Sequence, residues 1–232
     1  MIRSYSDFVE TLLAAGFSMG GGKGDGIYSV VPWNWNESPP YKTPVRWHTG
    51  NAETDPWEWR IRVLEERKDI AYAKLFFRKS GYITKSWYPY FLATRRGGLG
   101  FEDACAEGTV SRFAKRIYDV VAAHGCLPLD AIKHLAGFSR EDKSGFDRAL
   151  TELQMRIFLT MCGRQPKVSR HGEEYGWAST VFCTTERFFG KDVFRKAAGI
   201  GVEVAEGKIK GQVLKLNPSA DEKKISKFIF GR

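Results

Sequence analysis

Apolar positions recur along this chain with two periods, and the changes from one to the other mark its parts. Between Asp7 and Phe17 the residues Phe8, Leu12, Leu13 and Ala15 gather on one side of a helix. Asp7 and Glu10 stand in capping-box relation at its start, and Gly16 stops it. Ile27 to Val31 reads as a short strand that Pro32 ends. Asp55, Pro56 and Glu58 then open a well-signalled helix, with a cap, a proline in the first position and a completed box. Trp57, Ile61 and Leu64 repeat on one side of it. Arg60, Arg62, Glu65, Glu66, Arg67 and Lys68 mix both signs on a solvated side. Two strands, AYAKLFF and GYITK, flank a turn at Lys79–Gly81. SWYPYFLATRRGG follows as a brief aromatic helix ending in Arg95 and Arg96.

The composition shifts after Gly97, Gly98 and Gly100, which divides the chain into an N-terminal α+β segment (1–98), a central domain (99–184) and a C-terminal helical extension (185–232). Thr109 is placed to cap a helix with Phe113, Ile117, Val120 and Val121 inward. Leu129, Ile132, Leu135 and Ala136 then line a short helix closed by Gly137. Ser139 and Asp142 can cap the next, in which Phe146, Ala149, Leu150 and Leu153 recur at helical spacing. RIFLTMCG follows as a strand, RQPKVSRHGEEYG as a basic turn, and WASTVFC as a second strand. Helix, turn, helix, strand, wing, strand is the order of a winged helix-turn-helix domain. Beyond it, 185–198 and 202–216 read as helices. Ser219 and Glu222 open a last helix carrying Ile225, Phe228 and Ile229.

Hydrophobic residues make up 43% and charged ones 27% of the 232 positions, which sets the chain among ordinary globular proteins rather than disordered ones. The net charge of +9 favours a polyanionic partner, and with the winged-helix order that partner is double-stranded DNA. The four cysteines, at 105, 126, 162 and 183, show no C-x-x-C pair and no histidine at metal spacing. They are expected as reduced thiols, with Cys162 and Cys183 acting as small apolar strand residues. No metal or other cofactor is implied. The start MIRSYSDFVETLL lacks the pattern of a signal peptide, and no apolar run reaches the ~20 residues of a membrane span, so a cytoplasmic location is expected.

Candidate nucleic-acid contacts come from the second helix of the pair and from the wing. On the helix the outward positions are Lys143, Ser144, Asp147, Arg148 and Thr151. Arg148 has bidentate reach to guanine, and Lys143 suits a phosphate. The wing supplies Arg164, Lys167, Arg170 and His171. Glu141, Asp142, Asp147 and Glu152 dilute the charge of the helix, which argues against tight sequence-specific reading by it alone and keeps a protein-interaction module open. A second candidate site lies in the Trp-rich stretch 32–57. There His48 and Asp55 could do acid–base work, and Trp47 and Trp57 could stack on a base, although Asp55 also serves as a helix cap. The glycine-rich SMGGGKGDG lacks the G-K-[ST] ending of a phosphate loop and reads as a flexible connection.

The segments RWHTGNAETDPWEWRIRVLEERKDIAYAKLFFRKSGYITKSWYPYFLA, GTVSRFAKRIYDVVAAHG and FDRALTELQMRIFLTMCGR resemble a bacterial group described as AlkZ-related, over nearly the whole chain up to about Pro218. The group is named after winged-helix DNA glycosylases that remove alkylated bases and unhook crosslinks. Likeness to those enzymes themselves rests on the winged-helix order and on AKLFFRKSGYITKSWYPYF. The resemblance implies a DNA-binding fold with a repair-linked or regulatory role, and a divergent glycosylase as the alternative. The enzymes position water through a Gln-x-Gln or Gln-x-Asp motif. The three glutamines here, Gln154, Gln165 and Gln212, make no such motif, and Gln154-Met155-Arg156 comes nearest.

Overall fold

The computed structural model describes residues 1–168 and 172–231, so the wing residues Arg170 and His171 lie outside the described part. The protein is α+β, built on a six-stranded antiparallel sheet of order β1-β3-β2-β5-β6-β4. Helix α1 (Tyr5–Ala15) starts two residues earlier than its apolar spacing suggested. Ser4 accepts from the Asp7 amide and the Asp7 carboxylate takes the Arg3 amide, so the box is one turn upstream of Asp7/Glu10. Gly16, at φ +91°, turns the chain directly into β1 (Phe17–Met19). The expected strand at 27–31 is instead an irregular buried segment after a tight turn at Gly24–Gly26; its carbonyl at Tyr28 pairs with the Met19 amide.

Helix α2 (Pro56–Glu66) begins on Asp55 and Pro56 as expected. Strands β2 (Ile70–Phe76) and β3 (Lys79–Thr84) form a hairpin at the centre of the sheet. β2 is apolar at nearly every position because both its faces are covered. Ile70 and Tyr72 pack towards α1 and α2, whereas Ala71, Ala73 and Leu75 pack towards helices of the opposite layer. That layer comprises α3 (Tyr88–Arg96) and the C-terminal helices α8 (Thr185–Phe189), α9 (Lys191–Ala198), α10 (Val202–Leu216) and α11 (Glu222–Phe230). Gly190 separates α8 from α9 where one helix was expected. N-terminal and C-terminal segments thus share one core.

The middle of the chain runs α4 (Phe101–Ala106), α5 (Arg112–His124), β4 (Leu127–Pro128), α6 (Leu129–Leu135), α7 (Lys143–Met155), β5 (Leu159–Gln165) and β6 (Ser179–Thr184). Ser111 rather than Thr109 caps α5. Phe101, Ile117, Val121, Ile132, Phe146, Leu153 and Phe158 fill its separate core. β5 and β6 form a hairpin, β4 pairs with β6, and Tyr72 opposite Met161 joins this hairpin to the N-terminal one. The sheet therefore runs unbroken across the composition boundary at 98. No helix among the described residues is long and apolar enough to cross a membrane.

Two adjacent arginines at the end of α3 tie these layers together. Arg95 is buried and donates to four carbonyls: Leu75 at 2.8 Å, Met155 at 2.7 Å, Phe228 at 2.7 Å and Ile229 at 3.0 Å. Among the described residues no carboxylate pairs with it. The carbonyl ends of α7 and α11 supply the negative partial charge instead. Burial pushes its guanidinium down to about 9, which still leaves it a cation at neutral pH. Arg96 pairs with Glu186 at 2.6 Å and donates to the Ile157 carbonyl and the Thr185 hydroxyl. Arg95→Met, which keeps the stem and removes the donors, is expected to cost roughly 3–5 kcal/mol in urea unfolding at an unchanged m value, since four buried carbonyls lose their partners.

Candidate nucleic-acid interface

The Trp-rich stretch forms one wall of a cavity of about 460 Å³, and the glycine-rich loop forms the other. Trp47, His48, Trp57 and Trp35 face Gly20, Gly21, Lys23 and Asp25 across it. The loop is a packed wall and not a free connection. Gly21, at φ +144°, lies against Trp47, where an added methyl carbon would sit 2.8 Å from the indole; Gly22, at φ +72°, lies against the Asn34 amide. Asp25 pairs with Lys79 at 2.6 Å and pins the far end of the loop to the β2–β3 hairpin.

Trp47 and Trp57 are held in place. The Trp47 indole donates to the Trp33 carbonyl at 3.1 Å. His48, at φ +59°, has its ring 4.9 Å from that of Trp57, and Trp35 is 71% exposed at the rim. The Arg60 guanidinium lies 3.1 Å from the Trp57 ring centroid, and its Nε donates back to the Trp57 carbonyl. Trp33 and Trp59, by contrast, are core residues. The tryptophans therefore divide between packing and lining, a distinction their shared composition does not carry.

Asp55 sits behind this wall, fully buried. Its carboxylate accepts from the amides of His48 (3.1 Å), Thr49 (2.7 Å), Gly50 (2.9 Å) and Trp57 (2.8 Å). With its oxygens so occupied, Asp55 holds the His48 loop onto the start of α2 and does not line the cavity.

A second cavity of about 390 Å³ shares Trp57, Arg60, Tyr72 and Ser80 with the first and continues to Met161, Arg164 and Trp177 on the β5–β6 hairpin. The two make a groove from Trp35 to Trp177, which is 83% exposed. Arg60, Tyr72, Trp35 and Trp177 were not singled out from the sequence. Arg60 sits among the mixed charges of α2, and Trp177 in a segment read only as strand.

Of the expected phosphate contacts among the described residues, Arg164 borders the second cavity of the groove, and Lys143 and Lys167 line neither cavity. Arg164 pairs with Glu65 at 3.0 Å, Lys167 with Asp130 at 3.4 Å and Lys143 with Asp147 at 3.5 Å. Such exposed pairs are worth ~1 kcal/mol or less, so exchanging the acid for a phosphate costs little. Ser144 and Arg148 are exposed on α7, and the Thr151 hydroxyl bonds back to the Asp147 carbonyl. Near the start of α7, Lys133, Ser139, Arg140 and Lys143 border a hollow of about 380 Å³ over Phe138 and Phe146. Lys133 and Arg140 extend the basic surface beyond the residues named from sequence.

Gln154 is 1% exposed, accepts from the Lys74 amide at 2.9 Å and donates to the Leu150 carbonyl. It braces α7 against β2 and is far from free to hold a water.

These features accompany a family assignment that spans the chain. The chain belongs to the AlkZ-related family. The family's model matches residues 2–230, and so takes in the aromatic groove, α7 and the hairpin together. Neither a curated protein nor a solved structure matches it.

Two substitutions test how the AlkZ-related groove is held. Gly21→Ala is expected to cost about 1–3 kcal/mol and to displace Trp47, shifting tryptophan emission to the red, because the loop cannot yield without moving the indole. Asp55→Ala is expected to cost about 2–3 kcal/mol in denaturant unfolding, more than the ~1 kcal/mol of an ordinary cap, since three loop amides are released with the cap.

Proposed function

We propose that this AlkZ-related protein binds double-stranded DNA through a winged helix and receives an unstacked base in its aromatic groove. The winged-helix reading rests on the order helix, short strand, helix, helix, hairpin over α5 to β6, with β4 paired to the far strand of the hairpin. α7 is then the recognition helix, with Arg148 directed to base edges and Lys143, Arg140 and Lys133 to phosphates. The hairpin is the wing, and Arg164 and Lys167 reach the backbone from it.

The observation that carries the base-binding part is the continuity of the groove with that hairpin. Trp47, His48 and Trp57 offer flat faces, Arg60 backs Trp57 with positive charge, and the open end is bordered by Arg164 and Trp177. A base turned out of a duplex held on the wing would find aromatic surfaces within the same cleft. Trp177, largely exposed beside the groove, is placed to fill the gap in the stack as an apolar wedge. The +9 net charge supports the electrostatic part of binding.

A divergent glycosylase is the second reading, favoured by the family assignment and by His48 standing 4.9 Å from Trp57 inside the cavity. In it His48 would be the acid–base group and Asp55 its positioning residue. With no Gln-x-Gln or Gln-x-Asp motif in the chain and Gln154 buried against β2, base binding is the better supported function.

Binding is measured to duplexes with and without a single unpaired or alkylated base, over a salt series, with products assayed for abasic sites. The five phosphate contacts predict a log–log salt slope of roughly −4 to −5. Arg148→Ala is expected to weaken all duplexes by about tenfold. Trp57→Ala is expected to remove the preference for the unpaired base, a factor of roughly 5–100, with intact duplex little affected. Abasic product abolished by His48→Ala would make the protein a glycosylase. Failure to bind any duplex at low salt would overturn both readings in favour of a protein-interaction module.

A further inference from the structure

Three of the four cysteines, far apart in sequence, meet on one side of the sheet. The Sγ atoms of Cys126, Cys162 and Cys183 all lie within 4.8 Å of one another. Cys126 is the residue before edge strand β4, Cys162 sits in β5 where the register with β6 shifts between Met161 and Gly163, and Cys183 lies in β6. The register shift places an extra residue in β5, and that residue is Cys162. Fixed strands thus supply two of the three sulfurs.

Exposure is graded across the cluster. Cys183 is 1% exposed, Cys162 is half-buried, and Cys126 is open to solvent. One side is therefore rigid and dry, and the other gives access. Positive charge stands close by: Arg187 lies over the Gly125 turn, where its guanidinium carbon would be 3.0 Å from an added Cβ.

We infer that Cys126, Cys162 and Cys183 form a binding site for one thiophilic d10 cation of the Zn²⁺ class, with the fourth coordination position open on the Cys126 side. Zinc–thiolate bonds of about 2.3 Å require sulfurs roughly 3.8 Å apart, so the cluster has to contract by no more than about 1 Å. Cys126, exposed and outside the strands, is the sulfur freest to move. Soft thiolates select such a cation over Mg²⁺ or Ca²⁺. An odd number of thiols also leaves one unpaired in any disulfide, whereas a single ion engages all three. Bound there, the ion would staple the end of α5 to both strands of the hairpin, fixing the helices against the wing.

The test uses the full chain, stripped of metal under reducing conditions and titrated with Zn²⁺ against a chromophoric chelator, then with Co²⁺ alone. One equivalent of Zn²⁺, intense thiolate-to-cobalt charge-transfer absorption and a Tm that rises with added Zn²⁺ are expected. Because Cys183 is buried and its replacement can disturb folding, the decisive variant is Cys126→Ser. It should keep the circular dichroism spectrum of the native chain and lose at least tenfold in Zn²⁺ affinity, whereas Cys105→Ser, outside the cluster, should bind as the unaltered chain does. No stoichiometric binding, equal affinity in Cys126→Ser, or a disulfide among the three that forms with no metal uptake by the reduced chain would each overturn the inference.

Discussion

The burial of Arg95 is the constraint on which the arrangement of the layers depends. A guanidinium taken out of water costs several kcal/mol unless its donors are satisfied, and here they reach carbonyls of β2, α7 and α11. Those three elements come from the N-terminal, central and C-terminal thirds of the chain. None can shift without stranding a charge in the core. Arg96 repeats the arrangement one position on, towards Glu186 and Thr185 at the start of α8. The pair converts a sheet with helices on both faces into one body, and the β5–β6 hairpin inherits its position from that body through β2.

The groove is a consequence of this fixed sheet plus two local devices. Glycines at 21 and 22 let the loop lie flat against Trp47 and Asn34. The Asp55 carboxylate draws three successive loop amides and a helix amide to one point. Between them Trp47 and Trp57 are held in place, Trp47 by its bond to the Trp33 carbonyl and Trp57 under Arg60. An aromatic surface so prepared pays little conformational entropy when a flat ligand arrives. Because β2 and the β5–β6 hairpin are parts of one sheet, the cavity and the hairpin keep a constant spacing.

Much of the architecture was legible where periodicity is strong. α2, with its cap, proline and box, and the run from α5 to β6 lie close to their expected places, since each carries its own start and stop signals. Errors came where tertiary contacts choose among local options. Ile27–Val31 has strand composition, but β1 took the place beside β3 because Gly16 turns the chain directly into it. The glycine-rich loop reads as flexible until Trp47 and Asn34 are seen against it. Trp33 and Trp35 differ by two positions, yet one is core and the other rim. The cysteine cluster has no sequence signal, because its members are brought together by strand pairing across 57 residues and not by spacing. Membership of the AlkZ-related family, by contrast, was readable from contiguous segments.

The proposed function requires that a base leave the duplex and enter the groove beside the β5–β6 hairpin. Photocrosslinking tests it directly, with a 5-iodouracil placed at the unpaired position of a duplex, followed by mass-spectrometric mapping of the modified peptide. Adducts on Trp57, Trp47 or Trp35 are expected, lost when the same base is paired. Adducts confined to α7, or equal for paired and unpaired bases, would contradict it.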